Sequence, residues 1–145
     1  MENQMEKRRL FKIMSKADRS AVIELADKVR KSHELVVIKE PEKALAMIKM
    51  REPVKESLFY LGEVIVTEAT VSVDGVSGTA VAMGDDFEKT LSMAVVDAAC
   101  NKGCFEDESI LLKLEEEQII LEEKENAMFM KTMVNFHSMD SEAPV

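Results

Sequence analysis

The sequence predicts an α+β domain: an antiparallel sheet of about four strands with N-terminal helices, a helix packed on the sheet, and a C-terminal arm and helix. Three observations carry this reading. Residues 67–74 alternate, with Ala69, Val71 and Val73 on one face of a strand and Glu68, Thr70, Ser72 and Asp74 on the other. Asp74 and Gly75 then separate two apolar runs, and both tolerate the positive φ of a tight hairpin turn. Residues 3–31 and 84–103 instead repeat apolar side chains at helical spacing. At 145 residues, 46% of them apolar, the chain has the length and core content of a single domain, 1–145.

The helical stretch 3–31 divides in two. Leu10, Ile13, Met14 and Ala17 form one stripe and Val22, Leu25, Ala26 and Val29 another, with SKADRS between them and Asp18 or Ser20 placed to cap the second helix. The sheet spans 34–84. Its opening, ELVVIKEPEKALAMIKMREP, reads as two short strands divided by Pro41 and closed by Pro53, because proline lacks a ladder donor and favours an extended residue before it. In the strand at 61–75 the first half is two-sided. Val64, Ile65 and Val66 are consecutive, so Val64 and Val66 are expected under one layer and Ile65 under another.

The helix at 85–102 is the most legible element. Gly84 lets the chain turn, Asp85 is placed to cap with Glu88 three residues on, and Gly103 suits a left-handed C-terminal position. Phe87, Leu91, Ala94, Val95 and Ala98 form one stripe, while Met93, Val96 and Cys100 form a second nearly opposite. That second stripe is either core beneath the N-terminal helices or a partner-facing surface; Asp97, on the flank, reads as an exposed residue or one that pairs with a partner. Over 106–139, Ile110–Leu114 reads as extended and Glu115 to near Met133 as helical, with 140–145 a loose tail. Met128, Met130, Met133 and Met139 cluster there, and flexible thioethers suit either irregular core gaps or an adaptable partner surface.

Charge narrows the function classes. Nineteen basic residues against 28 acidic ones leave a net charge of −9, which repels phosphate backbones and anionic membranes. Lys7, Arg8 and Arg9 read as a solvated helical turn. Cys100 and Cys104 make neither a disulfide framework nor a zinc signature, and no leader-like or membrane-length apolar run is present, so a reducing, cytoplasmic setting is expected.

Little in the sequence suggests chemistry. His33 and His137 read as packing or surface residues, Cys100 as a buried structural thiol, and glycine-rich phosphate loops and nucleophile elbows are missing. Glu63 and Glu68 lie five apart on one strand and project to opposite faces unless a bulge intervenes. A competing class remains: a free-standing enzyme or small-molecule-binding domain using Glu63, Glu68 and His137.

LGEVIVTEATVSVDGVSGTAVAMGDDFEKTLSMAVVDAA, residues 61–99, resembles the middle of the PhnG family of the bacterial carbon–phosphorus lyase system through Gly62, Val66, Thr67, Gly84, Asp85, Asp97 and Ala98. TMVNFHSM is similar to that family's closing element at Thr132, Val134, Phe136 and Met139, although His137 replaces an aromatic and Asp140, Ser141 and Glu142 depart from its usual ending. The resemblance implies a non-catalytic subunit in a hetero-oligomeric core with subunits H, I and J. With H, I and L it would support transfer of an alkylphosphonate onto the ribose of Mg-ATP with release of adenine. Mg-ATP is then the substrate of the complex, and no cofactor belongs to this chain. Partner contacts are expected at Met93, Val96, Cys100, Met128, Met130, Met133, Phe136 and Met139.

Overall fold

The computed structural model describes residues 5–136 and Met139; His137 and the expected tail at 140–145 lie outside the described residues. Two helices, α1 (Lys7–Lys16) and α2 (Arg19–Ser32), precede strands β1 (Leu35–Arg51), β2 (Leu58–Val73) and β3 (Val76–Met83). Helices α3 (Phe87–Lys102) and α4 (Glu108–Met130) complete the chain. The strands form one antiparallel sheet in the order β1-β2-β3.

Three strands stand where about four were expected. The two segments around Pro41 are one long strand, because β1 lies at the sheet edge and its ladder slips between Val37 and Lys39 and again between Lys39 and Glu42. Those slips leave Pro41 out of the paired register, and an edge strand tolerates a missing N–H there. A second correction concerns Ile110–Leu114, which is helical. Leu111 is buried and Ile110 and Leu114 pack on the core at helical spacing, an arrangement that a short apolar run does not distinguish from a strand.

The Asp74–Gly75 turn is as expected, with φ of 48° and 89°. Asp74 also ties three elements together. Its carboxylate accepts from Lys102 at the end of α3, from the Glu34 N–H at 2.8 Å, and lies 2.7 Å from His33 Nδ1. The hydrogen bond from Lys102, then those from His33 and the Glu34 amide, hold the Asp74 carboxyl well below the usual carboxylate range.

The body has layers. Helix α3 lies across β2 and β3 on one side and meets α2 on the other, and every residue from Ser92 to Ala99 is buried. Its approach to the sheet is close because Gly78 has no side chain. A Cβ there would sit 2.2 Å from the Ala98 nitrogen and 2.6 Å from the Ala94 carbonyl oxygen. The helix starts at Asp86, one residue after the expected cap, whose carboxylate accepts from the Lys89 N–H at 3.1 Å; Gly103 ends it at φ 82°. Lys89 then donates to the Ser15 and Ala17 carbonyls, fastening the end of α1 to the start of α3.

Gly78→Ala should destabilise the fold at or beyond the upper end of the roughly 1–3 kcal/mol typical of overpacking, since only backbone atoms stand in the way. Urea unfolding measures this, and an unchanged midpoint would contradict the packing described. Acid titration tests Asp74. Because its folded carboxyl stays ionised to lower pH than the unfolded one, its contribution is complete above about pH 4 and fades as pH falls further. Asp74→Asn should therefore be less stable than the wild type at neutral pH, with the difference shrinking on acidification.

Candidate partner-binding surfaces

Strand β3 pairs with β2 only from Val73 to Val66. Beyond that point β1 and β2 continue as a two-stranded ribbon, residues 45–51 and 58–65, joined by a tip in which Glu52 accepts from the Val54 and Lys55 amides at 2.8 Å. Arg51 donates to the Glu56 carbonyl at 2.9 Å and closes the tip. At the ribbon's root the Thr67 hydroxyl donates to the Gly84 carbonyl at 2.8 Å, and the Gly84 N–H returns a bond to Ile65.

Paired residues share a face, so the register defines two sides of this arm. On the side continuing from α3 lie Leu45 opposite Ile65, Met47 opposite Glu63, Lys49 opposite Tyr60 and Arg51 opposite Leu58. The other side carries Ala44 opposite Val66, Ala46 opposite Val64, Ile48 opposite Gly62 and Met50 opposite Phe59, with no charge. Between Ile48 and Lys49 the register slips by one residue of β2, so Leu61 is the bulged position and the faces of Phe59 and Tyr60 are set by it. The two-sidedness read at Val64–Val66 is real, but Ile65 is 54% exposed: the described residues supply no layer over it.

The far half of α4 is equally bare. At about 1.5 Å per residue, its 23 residues outrun the 10 of α1, the helix it lies against. Arg9 grips Glu115 through two 2.6 Å bonds and Gln118 donates to the Ile13 carbonyl, while Ile120, Leu121, Met128, Phe129 and Met130 are exposed.

Of the residues expected to meet partners, Met93 and Val96 are fully buried beneath the chain's own elements, and Cys100 is partly buried. The second stripe of α3 is therefore core at Met93 and Val96, whereas Met128, Met130, Met133, Phe136 and Met139 lie at the surface. Burial first, then the charges of Asp97 and Glu108, push the Cys100 thiol up to about 12, which makes it a poor nucleophile. Glu63 and Glu68 are on opposite faces and about 16 Å apart along the strand, with Glu68 engaged by Lys39. No group of three His, Cys, Asp or Glu residues that could hold a metal occurs among the described residues.

Asp97 corrects another expectation: it is buried, 2% exposed. Its Oδ2 accepts from the Thr79 N–H at 3.1 Å on the outer edge of β3, and Asn101 beside it donates to the Ser77 carbonyl at 3.0 Å. Two side chains of α3 thus cap the edge that a further strand would otherwise pair with. Ala98 backs onto Gly78 one residue later. Asp85, by contrast, is exposed beside Asp86, which does the capping. Sequence reasoning did not single out the arm's Leu45, Met47, Phe59 and Tyr60; the run LFYL, apolar at four consecutive positions, was the signal for it.

A compact α+β body with an uncapped ribbon and an overhanging helix, both apolar at the surface, defines a protein built to be covered by others. The family model described as phosphonate metabolism protein PhnG matches residues 5–140, and the chain belongs to that family. Its members are subunits of the multi-subunit carbon–phosphorus lyase complex of phosphonate metabolism. No curated protein matches the chain. Among the described residues no helix is long and apolar enough to cross a membrane.

Asp97→Ala leaves the Thr79 N–H without its acceptor and should cost about 1–3 kcal/mol, whereas Asp97→Asn keeps an acceptor oxygen and should cost less. Chemical denaturation of the two variants decides this; equal losses would show that the carboxylate charge, not the hydrogen bond, is what matters.

Proposed function

We propose that this chain is a non-catalytic, organising subunit of the carbon–phosphorus lyase core. In this reading it supports the step in which alkylphosphonate is joined to the ribose of Mg-ATP and adenine leaves. Subunits H, I and J are its partners, with L joining for that step, and the assembly works in the cytoplasm. Mg-ATP binds elsewhere in the complex, and this chain carries no cofactor.

One observation carries the reading: the uncharged face of the arm. Ala44, Ala46, Ile48, Met50, Phe59 and Val64 present no charge or hydrogen-bonding side chain, and a Cβ added at Gly62 would meet nothing within 4 Å. The chain's own packing thus makes no demand for a glycine at that family position, while a partner packed closely on the ribbon would. Obligate interfaces have this uncharged, core-like composition. The exposed Met128, Met130, Met133, Phe136 and Met139 supply a second, adaptable contact.

The experiment is co-expression with the other lyase subunits, followed by co-purification and an assay of adenine release from Mg-ATP and methylphosphonate. The lone chain should release no adenine, and Ile48→Glu should fold normally by circular dichroism yet lose at least tenfold in co-purified partner. Adenine release by the lone chain, or full recovery of partners with Ile48→Glu, would overturn the proposal.

A further inference from the structure

The other face of the arm differs in chemistry. Leu45, Met47, Ile65 and Tyr60 are exposed there, but Lys49 and Arg51 stand among them, with Lys43 on the same side at the ribbon's root, against a single carboxylate, Glu63. A local excess of cations on a chain of net charge −9 calls for an acidic, apolar partner. Such a surface exists on the same chain. The side of α4 turned away from α1 carries exposed Ile120 and Leu121 flanked by Glu116, Glu117 and Glu123, with two cations nearby, Lys113 and Lys124. Within one chain the two surfaces are not packed together: α4 lies against α1, and the arm runs out past α3.

We propose that a second copy of this chain covers this face, with α4 of each copy laid along the cationic side of the other's arm. A two-fold arrangement makes both contacts at once, each copy giving one helix and receiving one. Lengths agree, since the seven β1 residues of the ribbon, 45–51, span about 23 Å and the 15 helical residues from Lys113 to Ala127, which leave Met128 and Met130 to other partners, about 22 Å. Charge agrees too, because the contact sets an arm face of three cations and one carboxylate against a helix face of three carboxylates and two cations in a protein whose copies otherwise repel. The uncharged face remains free, so this pairing is compatible with lyase partners and does not depend on them.

Light scattering coupled to size exclusion on the purified full chain, without other subunits, tests the pairing. A mass twice the 16.3 kDa of one chain is expected. Leu45→Glu on the arm and Ile120→Lys on the helix should each give monomers, with circular dichroism unchanged. Mixed in equal amounts, these two variants should form dimers again with at least tenfold weaker association than the wild type, because the mixed pair keeps one intact arm–helix contact. A monomeric wild type would overturn the proposal in favour of a helix from another subunit. Dimers persisting with either single variant would show arm–arm or helix–helix pairing instead.

Discussion

Everything in the body of this protein hangs on the absence of a side chain at Gly78. The backbone of β3 there comes against the backbone of α3 at Ala94 and Ala98, closer than any Cβ would allow. That approach lets Asp97 and Asn101 reach over the strand edge to Thr79 and Ser77. It also presses the helix into the sheet so deeply that its opposite side becomes a floor for α2. A helix buried on all sides needs apolar residues all round, which is why α3 carries two stripes. The ribbon begins where this support stops: β3 ends opposite Val66, and past it two strands run on alone.

The α+β class, the hairpin turn, both N-terminal helices and the last residues of α3 were legible in the sequence, because each rests on local chemistry: alternation, an Asp-Gly pair, helical spacing, a terminal glycine. What sequence misread depended on neighbours distant in the chain. Pro41 looks like a break until β1 is known to be an edge strand. Asp97 looks exposed because a carboxylate at one helical position gives no hint that a strand N–H lies 3.1 Å away. Ile110–Leu114 is an apolar run too short to declare its period, and only the α1 surface decides it. The surfaces were the hardest, since the residues of a partner face and a core face are the same types. Met93 and Val96 turned inward; Leu45, Phe59 and Tyr60 turned out.

For the functional reading this division matters. Four polar side chains are spent on architecture: Asp74 on a three-element junction, Thr67 on the Gly84 turn, Asp97 on an edge, Arg9 on α4. The apolar groups left over are on projections, not in a cleft. Chemistry needs convergent groups in a sheltered place, whereas assembly needs divergent surfaces with reach. Membership of the phosphonate metabolism protein PhnG family is consistent with the second of these.

The bulge at Leu61 sets a parity. Pairing alternates sides with every residue, so the single extra residue in β2 decides which of Phe59 and Tyr60 joins the uncharged side and which stands with Lys49 and its 6.0 Å ring contact. Were Leu61 paired with Lys49 instead of bulged, the two aromatic rings would be exchanged across the ribbon, with Tyr60 opposite Met50 and Phe59 opposite Arg51. Whether this one residue is looped out or paired thus decides which neighbour each side of the arm accepts, while the body beneath it is untouched.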